Sequence, residues 1–271
     1  MSILAVSATV RLGTYSTSAA DSWTTGTGAS MRPPVLASAR TEMPSAPITV
    51  HLIGDSTAAE KEPDARPETG WGTPFADRFD ESVTVENYAR NGRSTRTFLE
   101  EGRWEPVVRD LAETHYVFVQ FGHNDEVPSK EQYTPPDAFV ANLEKFVDET
   151  LDCGAKPVLL TPIARRHFDE AGELEDTHAE YSELTRSVAR ERDVPLIDAD
   201  ERSQSLLREL GPEESKSLYL HLSPDEHPNY PDGATDDTHF SERGARRMAD
   251  LVLEGIDDLG LELAARVVRD E

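Results

Sequence analysis

Short apolar runs that alternate with amphipathic segments are the feature that most constrains the fold of this chain. Apolar runs rich in β-branched residues occur at 48–53, 83–89, 116–122, 156–162 and 194–199. Helical periods lie at about 73–80, 103–113, 136–152 and 176–192, with a final helix near 241–258. Strands that are apolar along their whole length are typical of parallel sheets covered by helices on both faces. We therefore predict an α/β fold, a three-layer α/β/α sandwich around a five-stranded parallel sheet.

The first 46 residues have a different composition from the rest. They are rich in Ser, Thr, Ala and Gly, show little hydrophobic period, and end in the proline-broken stretch MRPPVLASARTEMPSAP. We predict either a disordered N-terminal extension over 1–46 or a translation start that truly lies near Met31 or Met43. The folded domain is expected to span 47–271.

Polar motifs follow the first three predicted strands. GDST, with Ser56, follows the first; NYARNGRSTRTF, with Gly92, follows the second; FGHNDE, with Asn124, follows the third. In an open parallel sheet, ligands bind beyond the carboxyl ends of the strands. In a flavodoxin-like strand order, 2-1-3-4-5, the first strand lies between the second and the third, so the three motifs end side by side.

The segment DDTHFSERGA, near the C-terminus, supplies a base for a serine nucleophile. A serine hydroxyl is a weak nucleophile near neutral pH unless an imidazole takes its proton and a carboxylate orients that imidazole. His239 is the predicted base. Asp236, three residues earlier on a short loop, is its predicted partner, and Asp237 is the less favoured alternative.

Three hydrogen-bond donors are predicted to form an oxyanion hole. They are the backbone N–H groups of Ser56 and Gly92 and the side-chain amide of Asn124. Each residue also has a plainer interpretation when taken alone. Ser56 suits a helix N-cap, and Gly92 and Asn124 suit tight turns.

Taken together, these motifs resemble the four ordered blocks of the SGNH (GDSL-type) hydrolase superfamily. GDSTAA, GWG, NYARNGRSTRTF, FGHNDE, TPIARRHF and DDTHFSERGA are most similar to the rhamnogalacturonan acetylesterase family, over about 48–259. The resemblance implies a serine esterase that removes O-acetyl groups from pectic polysaccharide or related sugars without a cofactor. It also implies Ser56 as nucleophile, Ser56, Gly92 and Asn124 as oxyanion donors, and Asp236 with His239 as the acid–base pair. The elbow Gly-x-Ser-x-Gly of the α/β-hydrolase fold is absent.

Four further side chains are predicted to contact the substrate. Arg165 and Arg166, in TPIARRHF, follow the fourth strand and could bind a uronate carboxylate, or instead form ion pairs with surface carboxylates. Trp71 could stack on a sugar or pack in the core. His123 could line the pocket or orient Asn124.

No metal site is predicted. Cys153 is the single cysteine, which excludes an intramolecular disulfide and a cluster of cysteine metal ligands. The residues His221, Asp225, Glu226 and His227 have irregular spacing that matches no common metal site, and a solvated loop is expected there.

The charge balance narrows the class of partner. The chain has 27 basic and 52 acidic residues, a net charge of −25, and only five lysines. Nucleic acids and anionic membranes are disfavoured partners because both require positive patches. Our hypothesis is a salt-adapted, halophilic protein, because dense salt screens such self-repulsion. An acidic protein of an ordinary cytosol is the alternative.

Other functions remain open at this stage. The chain could be an SGNH esterase or lipase for other acyl groups, or a carbohydrate-binding homologue without turnover. No apolar run approaches the roughly 18 residues of a membrane span, and no secretory signal is legible. We expect cytoplasmic action on acetylated oligosaccharides, with secretion as the alternative, and the sequence does not indicate an oligomeric state.

Overall fold

Five parallel strands form the central sheet of the protein. The structure is a computed structural model that describes residues 46–268, so the prediction for 1–46 falls almost wholly outside the described residues. The strands are β1 (Ile48–Gly54), β2 (Val83–Asn87), β3 (Tyr116–Gln120), β4 (Lys156–Leu160) and β5 (Leu196–Ile197). Their order is β2-β1-β3-β4-β5, which confirms the predicted topology. The fifth strand is shorter than its apolar run suggested.

Seven α-helices are found within residues 46–268. They are α1 (Gly72–Ala76), α2 (Thr95–Glu100), α3 (Trp104–Asp110), α4 (Pro136–Asp152), α5 (Ala179–Arg192), α6 (Ala199–Glu214) and α7 (Glu242–Asp258). The sequence periods predicted neither α2 nor α6. The first is six residues long, and the second contains Gly211 in a non-helical conformation followed by Pro212, which obscures its period.

Alternate residues of the strands face two separate apolar cores, which explains why the strands are apolar along their whole length. Leu52 and Phe118 pack in one core, which α1, α6 and α7 cover. Their neighbours Ile53 and Val119 pack in the other core, which α2, α3, α4 and α5 cover. Successive side chains of a strand point to opposite faces of the sheet, so neighbouring residues enter different cores. The helices on both faces complete the predicted sandwich.

A small antiparallel hairpin lies outside the main sheet. It consists of β6 (Tyr219–Leu222) and β7 (Ala234–Phe240). Asp236, which the sequence placed on a short loop, therefore lies on β7 instead. The hairpin leads directly into α7, whose N-cap is Ser241, with its Oγ accepting the N–H of Gly244 at 3.1 Å.

Within residues 46–268, no helix combines the length and the apolar character that crossing a membrane would require.

Candidate active site

Ser56 lies in the turn that follows β1, at the carboxyl edge of the sheet. The side chain before it, Asp55, is fully buried and accepts hydrogen bonds from the N–H and Oγ1 of Thr57 at 2.9 and 2.8 Å. The second oxygen of Asp55 lies 3.1 Å from Nδ1 of His123. These contacts fix the turn, while Ser56 itself keeps about 9% of its surface exposed.

The hydroxyl of Ser56, which follows β1 of the main sheet, contacts the imidazole of His239, which lies on β7 of the hairpin. Ser56 Oγ lies 2.9 Å from Nε2 of His239, although the two residues are 183 positions apart in the sequence. The other ring nitrogen, Nδ1, lies 2.8 Å from Oδ2 of Asp236. An ionised Asp236 accepts from Nδ1–H, so Nε2 is left free to accept the serine proton.

Asp236 is held in the ionised form by its surroundings. Its Oδ1 accepts the N–H groups of Thr238 and His239 at 2.7 and 2.9 Å. Burial alone would raise the pKa of Asp236, yet the hydrogen bonds from the ring and N–H of His239 and from Thr238 lower that pKa overall. Asp237 points elsewhere, to Nη1 of Arg166 at 2.6 Å and Nε2 of His221 at 2.7 Å.

The three predicted oxyanion donors lie on turns that contact one another. Gly92 has φ +73°, a conformation that favours glycine, and no atom lies within 4 Å of where a Cβ would stand. Asn124 is 7% exposed and donates one amide hydrogen to the carbonyl of Arg93 at 2.9 Å, which leaves its second hydrogen unused by that bond. Among residues 46–268, the N–H groups of Ser56 and Gly92 have no protein acceptor.

Two of the predicted substrate contacts are contradicted by burial. Trp71 has no exposed surface: it packs edge-on against Phe75, and its Nε1 donates to Oε1 of Gln120 at 3.3 Å. An indole in that position is a core residue and has no face to offer a sugar. His123 is 3% exposed, and both of its ring nitrogens are engaged, the second with the carbonyl of Ile163 at 2.9 Å. His123 supports the turn of Ser56 through its contact with Asp55.

The two arginines form ion pairs within the protein, which is the alternative to a uronate contact, and the uronate contact stays a prediction. Arg166 is 8% exposed and binds Asp237, Ser215 Oγ and the carbonyl of Pro212. Arg165 donates to Thr238 Oγ1 at 2.9 Å, and to the carbonyl of His123 and Oε1 of Glu126 at 3.0 Å each. Arg165 therefore braces the segment between Asp236 and His239.

One buried side chain at this site was not predicted. Lys61, five residues after Ser56, has an almost fully buried ammonium group that contacts the carbonyl of Ser56. The only signal in the sequence is its rarity, since the chain has five lysines in all.

No group of three or more His, Cys, Asp or Glu side chains within 46–268 has an arrangement that could hold a metal ion. The cofactor-free chemistry implied by the resemblance remains a prediction.

Comparison with known proteins agrees with the fold and with the motifs. A model of the GDSL-like lipase/acylhydrolase family matches residues 52–247. The rhamnogalacturonan acetylesterase RhgT of Bacillus subtilis is 44% identical over 83% of this chain and 96% of its own length. The probable rhamnogalacturonan acetylesterase YesY of the same organism is 35% identical over 82% of this chain and 98% of its length.

Solved structures share the fold at lower identity. YxiM of Bacillus subtilis superposes with a TM-score of 0.69 at 24% identity, over 80% of this chain and 58% of that chain. Axe2, an acetylxylan esterase of Geobacillus stearothermophilus, superposes with a TM-score of 0.55 at 22% identity, over 82% of this chain and 97% of that chain. With its family model, its relatives and its fold in agreement, the chain belongs to the GDSL-like lipase/acylhydrolase family.

Proposed function

We propose that this protein is a serine esterase that removes O-acetyl groups from pectic chains of the rhamnogalacturonan type. The observation that carries the proposal is the chain of contacts from Ser56 Oγ to His239 Nε2 at 2.9 Å and from His239 Nδ1 to Asp236 at 2.8 Å. This is the geometry of an activated serine nucleophile. The substrate class follows the relative that is 44% identical and is named a rhamnogalacturonan acetylesterase.

The reaction begins with attack of Ser56 Oγ on the acetyl carbonyl carbon. His239 Nε2 takes the hydroxyl proton as the new C–O bond forms, and Asp236 stabilises the imidazolium through Nδ1–H. The tetrahedral intermediate carries its negative charge on the former carbonyl oxygen. The N–H groups of Ser56 and Gly92 and the amide of Asn124 donate to that oxygen.

Collapse of the intermediate breaks the bond to the sugar oxygen, which leaves with the proton from His239. The acetyl group then remains on Ser56. Water attacks the carbonyl carbon of this ester as the same imidazole takes one of its protons. A second collapse breaks the bond between that carbon and Ser56 Oγ, releases acetic acid, which ionises to acetate, and returns the proton from His239 to Ser56. No group outside Ser56, His239, Asp236 and the oxyanion donors is needed.

Two open polar clefts are lined in part by residues next to the proposed oxyanion donors. One has a volume of about 470 Å³ and is lined by Arg66 and Arg90 together with Glu60 and Glu62, among others. The other has a volume of about 280 Å³, and its lining includes Gly92, two arginines and three glutamates. Because Gly92 is a proposed oxyanion donor, we propose that sugars next to the acetylated one bind in this second cleft.

The test is acetate release from acetylated rhamnogalacturonan, compared with acetylated xylan, by the parent and by Ser56→Ala. We expect release with a preference for the pectic substrate, and loss of release in Ser56→Ala. A nitrophenyl ester series tests the acyl group, because an acetylesterase loses activity as the acyl chain lengthens. Equal inactivity of parent and variant on all substrates would instead favour a binding protein, and strong activity on long acyl chains would favour a lipase.

We also propose that the protein is adapted to high salt, on the strength of its net charge of −25.

A further inference from the structure

The ammonium group of Lys61 is buried at the junction of the two turns that carry the oxyanion donors. Its side chain is about 1% exposed. Nζ donates to the carbonyl oxygen of Ser56 at 2.6 Å and to Oδ1 of Asn91 at 2.9 Å, and it forms an ion pair with Oε1 of Glu68 at 2.6 Å. The three oxygens around Nζ match the three hydrogens of an ammonium group.

This arrangement is unusual for a lysine. Taking an ammonium group out of water is strongly unfavourable unless the group is paired with an opposite charge and hydrogen-bonded. Glu68 supplies the pairing charge, and it is also mostly buried, with 16% of its side chain exposed. Because Glu68 balances the charge, the net field of the pair at a nearby oxyanion is small. What Lys61 contributes is therefore geometric.

The two remaining contacts link parts of the chain that carry different donors. The carbonyl of Ser56 is part of the nucleophile's own turn. Asn91 precedes Gly92, and the two residues share the peptide group whose N–H belongs to Gly92. The hydrogen bonds from Lys61 Nζ to the carbonyl of Ser56 and to Asn91 thus fix the distance between the turn of Ser56 and the turn of Gly92.

The Gly92 turn has other supports, but none that is found within the described residues reaches Ser56. No packing atom lies near the Cα of Gly92 on the side where a Cβ would point. The N–H of Arg90 donates to the carbonyl of Gly54 at 3.0 Å, and the amide of Asn124 donates to the carbonyl of Arg93 at 2.9 Å. The side chain of Arg93 contacts the carbonyl of Asn91 within the turn, at an exposed position. Among residues 46–268, Lys61 alone joins the turn to Ser56 itself.

We propose that Lys61 is a positioning residue that sets the spacing of the Ser56 and Gly92 N–H groups, so that both donate to one oxyanion. The inference rests on the proposed esterase function. A misplaced donor weakens binding of the transition state far more than binding of the ester substrate, because the charge on the oxygen develops only during the reaction.

The central test compares Lys61→Met, which keeps most of the apolar stem and removes the three donors, with Asn91→Ala, which removes one acceptor at an exposed position. Both are assayed with nitrophenyl acetate and with methylboronic acid, which forms a tetrahedral adduct with an active serine. We expect kcat to fall by about 10²–10³-fold in Lys61→Met and less in Asn91→Ala. KM should change little, and the inhibition constant of the boronic acid should rise in step with the loss of kcat/KM.

Two further variants separate positioning from general damage. Lys145, on α4, forms an exposed ion pair with Glu149, so Lys145→Met removes a lysine and an ion pair far from the site and should leave kcat unchanged. The double variant Lys61→Met with Asn91→Ala should lose scarcely more than Lys61→Met alone, because the two residues act through one contact.

The inference is overturned if folded Lys61→Met keeps its kcat, or if its loss lies in KM with unchanged boronic acid affinity. Should Lys61→Met fail to fold, Asn91→Ala decides alone, and an unchanged kcat and boronic acid affinity in that variant would overturn the inference. Failure of the proposed function is distinguishable, since Ser56→Ala would then be as active as the parent.

Discussion

Asp125, the residue after Asn124, has a buried carboxyl group that, within the described residues, is hydrogen-bonded through only one of its two oxygens. Its Oδ1 accepts from the N–H and Oγ1 of Thr95 at 2.9 and 2.6 Å, while its Oδ2 has no hydrogen-bond partner among residues 46–268. Burial raises the pKa of Asp125 to about 7, and the Thr95 hydrogen bonds only partly oppose that rise. In the folded protein, this group is therefore still largely protonated in weakly acidic solution.

This raised pKa predicts a pH-dependent stability that Asp125→Asn removes. Between about pH 4 and pH 7, the unfolded chain releases the Asp125 proton and the folded protein keeps it, so the free energy of unfolding falls as the pH rises. The asparagine variant lacks this contribution. Between about pH 4 and pH 7, the free energy of unfolding of the parent should fall by about 4 kcal/mol relative to that of the variant. Above about pH 7, the difference between the two proteins should stay constant. Urea unfolding of both proteins over the pH range measures the difference, and a pH-independent difference would contradict the prediction.

Asp236 and Asp237 are adjacent carboxylates with different predicted roles. Asp236→Asn loses the acceptor that fixes the His239 tautomer, and we expect kcat to fall by about 10³–10⁴-fold with the fold intact. Asp237→Asn is the matched control, because Asp237 contacts Arg166 and His221 and not His239. It should retain kcat within about tenfold and lower the melting temperature instead. The opposite ranking on nitrophenyl acetate would exclude Asp236 as the partner of His239.

At the residue scale, the sequence predicts contacts between residues of recognisable motifs. It does not predict the contacts of buried side chains whose partners are distant in the sequence. The pairing of Ser56 with His239 could be expected from the motifs GDST and DDTH and from the family resemblance, although the strand order alone does not bring His239 to Ser56. Trp71 and Arg166 could not be placed, because their partners, Gln120 and Asp237, lie 49 and 71 positions away and nothing local indicates either contact. Their burial is a property of the packed core.

At the scale of elements, α7 packs closely against the backbone that leads into the hairpin of β6 and β7. A Cβ on Gly244, in the first turn of α7, would stand 1.7 Å from the carbonyl oxygen of Leu218. That carbonyl also accepts the N–H of Ser241, at 3.1 Å, directly after β7. The helix can approach the backbone of Leu218, the residue before β6, this closely only because residue 244 is glycine.

Gly244→Ala should therefore displace α7 and disturb both stability and catalysis. Overpacking of this kind costs about 1–3 kcal/mol, and the shift passes to β7, which carries Asp236 and His239. We expect a lower melting temperature together with a lower kcat. Arg243→Ala, at the neighbouring exposed position, is the control and should change stability by no more than about 0.5 kcal/mol. Wild-type behaviour of Gly244→Ala in thermal unfolding and in the ester assay would contradict this role of the glycine.

The secondary-structure elements differ in how well the sequence predicts them. The strands of the main sheet are buried on both faces and stand out as apolar runs, so four of them were placed within a few residues of their bounds. The hairpin was not predicted, because β7 has the sequence ATDDTHF, in which only Phe240 is a large apolar residue. A strand made mostly of polar residues cannot be told from a loop by its sequence.

For the whole molecule, the net charge of −25 is the property with the clearest physical consequence. Repulsion among so many carboxylates opposes the compact state and weakens when salt shortens the Debye length. We expect the melting temperature to rise from about 0.1 M to about 2 M KCl at neutral pH. The rise should shrink near about pH 4, where many of the carboxylates are protonated. A melting temperature that stays level or falls at neutral pH would refute the salt-adapted hypothesis.

The separation of 183 positions between Ser56 and His239 also means that the site is assembled from two distant parts of the chain. A fragment of this sequence that stops before β7 would carry the Ser56 hydroxyl without the imidazole that contacts it. Under the proposed function, such a fragment has no esterase activity, however well its parallel sheet folds.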